Sequence, residues 1–315
     1  MGFSIVVVTW RSAGQLERLV ASMNGHLEAE PELVVVENDS GEDPEPAARA
    51  WCGELTMVRE PRNVGFGAAA NDGVTAARSE AVILLNPDTE LLDDGLGRLA
   101  AAALERRAIL GPRLLNPDRS PQPSASGSPV GALPWVRALL PGALHPAALR
   151  ARTEPWRLER PARASWLTGA CLAAPRELMC ALGPFDPAIE LFAEDMDLGL
   201  RAAAAGIESW FRPDLCALVH HGSASTELRF AAHEAFEMSA RYRTAVLRRA
   251  YGERRERRAA LAEQLHLGVR AMAKRALDRD AAARDAALLA ALREARSAPA
   301  LPPVDRDRGR SRPPT

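Results

Sequence analysis

A chain of 315 residues that is 47% hydrophobic can bury a large core, so one large domain with an appendage, or two domains, is expected. The net charge of −1 hides an asymmetry: from Thr226 onward 20 Arg and Lys face 12 Asp and Glu, a net of +8, which leaves −9 on residues 1–225. An acidic front makes a poor nucleic-acid binder, and a basic end is compatible with an anionic surface such as a membrane. The four cysteines, Cys52, Cys171, Cys180 and Cys216, show no paired spacing and are expected as buried, reduced thiols of a cytoplasmic protein. No basic segment precedes Ile5 and no apolar run nears about eighteen residues, so neither a signal peptide nor a transmembrane helix is expected.

The β-branched run Ser4-Ile5-Val6-Val7-Val8-Thr9-Trp10 predicts a buried first strand. Leu16, Leu19, Val20 and Met23 then recur at helical spacing, and Leu33-Val34-Val35-Val36 predicts a second strand ending in the polar Glu37-Asn38-Asp39-Ser40-Gly41. Strand, helix and strand with short links form a βαβ unit with a right-handed crossover, so both strands deliver their carboxyl ends to one edge. Arg62 to Gly73 places glycines before an alanine-rich helix. Free N–H groups there could approach a diphosphate, or the glycines could simply pack a helix against the sheet.

Ala81-Val82-Ile83-Leu84-Leu85 is apolar at every position, the pattern of a central strand covered on both faces. It stops at Asn86-Pro87-Asp88, where Pro87 ends the pairing and Asp88 projects beyond the strand. Open α/β sheets place ligands at that edge, and a carboxylate there suits a hard divalent cation that takes further oxygens from a phosphate. Leu114-Leu115-Asn116-Pro117-Asp118 repeats the string without a buried run before it and reads as a turn with no role. From Pro117 to about Pro161 the chain is rich in Pro, Ser and Gly and predicts a long irregular insertion.

Ala164 to Ala173 reads as a strand broken at Gly169, and Pro175 to Leu182 as a short helix. In Phe192-Ala193-Glu194-Asp195-Met196-Asp197-Leu198-Gly199-Leu200-Arg201, three carboxylates within four positions repel one another unless a function or a cation offsets it. On a helix, Asp197 pairs with Arg201 four residues later and Asp195 is left to face the cleft. Leu215 to Val219 predicts a last buried strand, whose tip His220-His221 could join Asp88 on one cation. Residues 226–296 are helical in composition, broken at Tyr251-Gly252 and Gly268, with eight arginines against two glutamates from Arg241 to Arg258. Residues 297–315 predict a disordered tail.

In order, Val6 to Thr9, Val35 to Ser40, Asn63 to Gly67 with Asn71, Leu85 to Asp88, Thr168 to Ala170, Gly183 to Asp186, Glu194 to Arg201 and His220 to Gly222 resemble the family 2 glycosyltransferases. The similarity is closest to the rhamnosyltransferase-like bacterial branch. The resemblance implies an α/β GT-A nucleotide-diphospho-sugar transferase fold, with a central, mostly parallel sheet flanked by helices over residues 1–225 and a basic helical extension over 226–296. It implies that Thr9, Glu37, Asn38, Asn63, Gly65 and Asn86 bind the nucleotide sugar. Asp88 and His220 would hold a divalent cation, Mn2+ or Mg2+. Asp195 would be the catalytic base beside Glu194, with Trp166 and Asp197 on the acceptor side.

The implied reaction is an inverting transfer from a nucleotide-diphosphate sugar, with dTDP-rhamnose one candidate, to a saccharide or polyprenyl-diphosphate-linked acceptor in cell-envelope polysaccharide synthesis. The implied location is the cytoplasm or the inner face of the cell membrane, held peripherally. A nucleotidyltransferase and a non-catalytic sugar-nucleotide binder are the alternatives. The first is expected to carry a glycine-rich basic loop directly after its first strand, and the second to lose the acid cluster; Trp10 to Gly14 is a poor match to the one, and Glu194-Asp195 argues against the other.

Overall fold

The computed structural model describes residues 2–140, 145–222, 232–274, 278–295 and 300–302. The opening β-branched run forms β1 (Phe3–Thr9), buried throughout. Helix α1 (Ala13–His26) buries Leu16, Leu19, Val20 and Met23, the stripe set by their spacing. There follow β2 (Glu32–Glu37), a single turn α2 (Glu45–Ala48), β3 (Leu55–Arg59), α3 (Phe66–Ala76), β4 (Ala81–Leu85), β5 (Thr89–Leu91) and α4 (Gly95–Arg106). β1 runs parallel to both β2 and β4, and β2 to β3, so their carboxyl ends share one edge as the βαβ pattern requires.

These strands are apolar at every position because both faces are covered. Ile5, Val7, Leu33, Val35 and Ile83 join a core with α1 and α4, while Val6, Val34, Val36, Val82 and Leu84 join a second core with α3. Short strands β6 (Ile109–Gly111), β7 (Arg113–Leu115) and β8 (Ala125–Ser126) come next. Then come α5 (Leu133–Leu139), α6 (Ala147–Thr153) and a 3-10 turn at Pro155–Arg157, so the insertion expected to be irregular carries helices of its own. Its Pro residues open those helices, where a missing N–H costs nothing.

The run expected to break at Gly169 does so: β9 (Ala162–Ala164) leads to β10 (Trp166–Leu167) before the Gly169 turn, and β11 (Cys171–Pro175) begins after it. β11 lies antiparallel between β4 and β6, while β10 leaves the main sheet to pair with β8. Helices α7 (Arg176–Leu182) and α8 (Glu194–Ala204) and strands β12 (Ser209–Phe211) and β13 (Ala217–His220) complete this part. The main sheet reads β3-β2-β1-β4-β11-β6-β12-β9, and a three-stranded sheet reads β5-β13-β7. Cys171 and Cys216 are buried as expected, whereas Cys52 and Cys180 are exposed.

The basic end forms α9 (Ala232–Tyr251), α10 (Glu253–Lys274) and α11 (Arg279–Glu294). Gly252, at φ +80°, separates α9 from α10, but Gly268 lies inside an unbroken helix. Val246, Leu247 and Ala259 pack with Ile189, Met196 and Leu200, so α9 and α10 are seated on α8. The arginine run is therefore not one solvated face. Arg249 bridges Asp186 and Asp197 at 2.6 Å each, and Arg243 pairs with Glu263 at 2.5 Å. The boundary placed at residue 225 and most of the expected disordered tail lie outside the described residues.

Candidate active site

Two strand registers assemble the site. β4 opposes β11 with Leu85 facing Cys171, and the Asn86 N–H continues the pairing to the Ala170 carbonyl at 2.9 Å. The Asn86-Pro87-Asp88 turn is thereby set beside Thr168-Gly169-Ala170. β13 opposes β5 with His220 facing Thr89, and the His221 N–H donates to the Asp88 carbonyl at 2.9 Å. The result places His220 Nε2 3.4 Å from Asp88 Oδ1.

Neither atom of this pair makes a hydrogen bond among the described residues, although both are buried. Gln122 Oε1 accepts a hydrogen bond from His220 Nδ1–H at 2.7 Å, so in the neutral ring Nε2 carries the lone pair. Two acceptors then face each other at short range, an arrangement that costs energy unless a cation lies against both. No cluster of three His, Cys, Asp or Glu side chains suited to a metal occurs among the described residues. A cation here would draw its remaining oxygens from water and phosphate, and the donor set fits Mn2+ or Mg2+.

The pair opens on a cleft of about 390 Å³. Of the expected site residues, Asn38, Asn63, Asn86, Asp88, Trp166, Glu194, Asp195 and His220 line it. Thr9 and Glu37 stand at the same sheet edge but outside the lining. Thr9 Oγ1 donates to the Val36 carbonyl, and Glu37 Oε1 accepts from both the N–H and the hydroxyl of Ser40. Gly65 adopts φ +85° at the start of α3, and its N–H goes to Asn63 Oδ1 while that of Val64 goes to Asn38 Oδ1. Those two amide side chains satisfy the N–H groups of Val64 and Gly65. Asp197, expected on the acceptor side, turns away from the cleft. It is buried against Arg201 at 2.7 Å and Arg249 at 2.6 Å, because a helix carries positions 195 and 197 on different faces.

Glu194 and Asp195 begin α8 after two consecutive left-handed residues, Phe192 at φ 66° and Ala193 at φ 64°. Neither is glycine, so the backbone is strained where it turns the carboxylates inward. Burial, and then repulsion from Asp195, pushes Glu194 up to about 8. Burial raises Asp195 too, against the pull of N–H donors from Met196 at 2.6 Å and Gly169 at 3.2 Å and the charge on Arg243. Near neutral pH Glu194 therefore holds a proton, while the N–H donors on Asp195 favour its charged form.

The sequence reading missed Arg243 and Ser239, which reach the lining from α9, and Gln122 behind His220. Nothing in their local pattern marks them, since a distant helix and an insertion supply them. Among the described residues Arg243 is the one arginine of the lining, and its charge acts on Asp195.

The model for Glycosyl transferase family 2 matches residues 4–130. The N-acetylglucosaminyl-diphospho-decaprenol L-rhamnosyltransferase of Mycobacterium tuberculosis is 30% identical over 257 residues, covering 76% of this chain and 82% of that protein. The chain belongs to glycosyl transferase family 2. Among solved structures, the family 2 glycosyltransferase is similar to the mannosyltransferase PcManGT from Pyrobaculum calidifontis, determined with GDP-Man and Mn2+. The TM-score is 0.59 at 17% identity, over 93% of this chain and 86% of that one. It is also similar to GalNAc-T7, determined with UDP, GalNAc and Mn2+, at TM-score 0.54 and 18% identity, with 78% of this chain covering 50% of the longer one. These likenesses show the GT-A fold, and family membership sets the nucleotidyltransferase and silent-binder alternatives aside.

Proposed function

We propose that the glycosyltransferase moves a sugar, with inversion, from a nucleoside-diphosphate donor to a saccharide carried on a polyprenyl diphosphate. dTDP-rhamnose is the first donor to test, because the curated relative is an L-rhamnosyltransferase acting on N-acetylglucosaminyl-diphospho-decaprenol. The observation that carries the reading is the juxtaposition, in one cleft, of the Asp88 and His220 acceptor pair with the N–H-bound carboxylate of Asp195. With the carboxylates of Asp88 and Asp195 set against the cation of Arg243 in its walls, the cleft does not neutralise a diphosphate on its own. A divalent cation held by Asp88 and His220 would neutralise the leaving diphosphate.

Asp195 takes the proton of the acceptor hydroxyl as that oxygen attacks the anomeric carbon, and the bond to the diphosphate breaks on the opposite face. Such base catalysis contributes about 10²–10⁴-fold. Glu194, protonated near neutrality, is a hydrogen-bond donor to the acceptor rather than a second nucleophile, which favours single displacement over a covalent intermediate. Asn38 and Asn63 lie where the nucleoside would enter, and Trp166 offers an apolar face to a sugar ring. No described helix is long and apolar enough to cross a membrane; we place the meeting with a lipid-linked acceptor at the inner membrane face.

The test is release of nucleoside diphosphate from a panel of nucleotide sugars with Mn2+ and an N-acetylglucosaminyl-diphospho-prenol acceptor. Acceptor-dependent release from one donor is expected. Absence of release from every donor in the panel would overturn the reading.

A further inference from the structure

Among the described residues, every large hydrophobic side chain that stands exposed lies on two helices packed against each other. Val136 and Leu139 of α5 are joined by Leu140 just past its end. From α10 come Leu261, Leu265, Val269 and Met272. Leu139 and Met272 are 68% and 64% exposed, an exposure that a folded chain does not reward unless something covers it. The α10 residues recur at steps of four, four and three, so they form one stripe, and Ala259, Leu267 and Ala271 are buried on the far side. The stripe continues toward the helix start into Arg254 and Arg258, flanked by Arg255 and Arg257, all four exposed. Glu253 pairs with Arg257, and Glu256 is buried, so the exposed charge at this end is positive.

We propose that this α5–α10 ridge inserts into an anionic bilayer, with the arginines on lipid headgroups and the leucines, valines and methionine among the acyl chains. An apolar stripe with a basic end is complementary to such a surface. A second copy of the chain is the poorer occupant, because a two-fold pairing of this face brings its arginines toward their own counterparts. On the face of α10 opposite the stripe, Glu263 holds Arg243, which lines the cleft, so the same helix carries the ridge and braces the site. The inference rests on the proposed lipid-linked acceptor, and it assigns the surface that brings the cleft to it.

The experiment uses the full chain and flotation with vesicles of phosphatidylglycerol and phosphatidylethanolamine, beside vesicles of phosphatidylcholine alone. The parent should float with the anionic vesicles and less as salt rises. A triple variant, Leu261→Gln, Leu265→Gln and Met272→Gln, alters exposed positions and should keep the parental melting curve. Its flotation should fall by about tenfold or more. Its transfer to a vesicle-embedded acceptor should fall in parallel, while transfer to a short-chain, water-soluble acceptor holds. Equal flotation of parent and variant overturns the inference. So does a parent that stays with the protein fraction, or light scattering that shows a dimer lost in the variant without any vesicle binding. A parent that floats but transfers to neither acceptor would overturn the proposed function and leave the docking surface standing.

Discussion

Gln122 Oε1 accepts the Nδ1–H of His220 at 2.7 Å, and Gln122 Nε2 in turn donates to Asn116 Oδ1 at 3.0 Å. The second bond fixes which end of the amide faces the histidine, and hence which ring nitrogen keeps a lone pair toward Asp88. The repeated Asn116-Pro117-Asp118 turn, with no role expected from its sequence, thus orients the histidine of the proposed cation site through one intermediary. Gln122→Leu should weaken Mn2+-dependent binding of nucleoside diphosphate by about 10–100-fold, as loss of an outer-shell partner does. Asp88→Asn should remove that binding altogether. Isothermal calorimetry with and without Mn2+ checks both, and unchanged affinity in Gln122→Leu would show that the ring needs no such support.

Asp195→Asn should abolish transfer while donor binding persists, because Asp195 contacts only backbone N–H groups. Glu194→Gln should leave measurable transfer and extend the alkaline limb of the kcat/KM profile, because the amide stays a donor where the parent's Glu194 loses its proton at about 8. Stability carries the same signature. Between its ordinary 4.5 and the folded value of about 8, Glu194 binds a proton in the folded chain that the unfolded chain has lost, so stability falls as pH rises through that window. Melting curves from about pH 5 to about pH 9 should decline less steeply in Glu194→Gln. A parallel decline in both proteins would refute the assignment.

Arg249 joins α9 to the acid-bearing part of the chain, with Asp186 and Asp197 as its partners. Arg249→Met leaves Asp186 buried without a cation, and Asp197 with Arg201 alone. Breaking a buried pair in this way costs about 3–5 kcal/mol. Denaturant unfolding should show that loss, whereas Arg257→Met, which removes an exposed pair with Glu253, should cost less than about 1 kcal/mol. Comparable small losses in the two variants would mean that α9 adds little to the fold.

Gly199 allows α8 to approach β10 closely: a Cβ there would stand 2.6 Å from the Ser165 carbonyl oxygen and 2.6 Å from Trp166 Cβ. Gly199→Ala must push α8 from Trp166, at a cost of about 1–3 kcal/mol. Trp166 and Asp195 line the same cleft, so KM for the acceptor should rise more than KM for the donor. Steady-state kinetics varying each substrate in turn checks this, and an equal rise in both would place the displacement elsewhere.

Much of this protein was determined by sequence alone, where local pattern suffices. An uninterrupted apolar run such as Ala81 to Leu85 is stable only when covered on both faces, and a proline after it must end the strand, so the sheet edge and Asp88 followed from the residues themselves. Helical spacing likewise separated Asp195 from Asp197 before any coordinates. Tertiary structure alone decided which distant groups meet. The register of β13 against β5 brought His220 to Asp88, the insertion delivered Gln122, and the packing of α9 on α8 turned Arg249 onto Asp197 and put Arg243 in the cleft. Those contacts join residues far apart in the chain, where the spacing of residues carries no record of the partner. They form because burying the strands and helices leaves only a few arrangements in which most buried charges are paired or hydrogen-bonded.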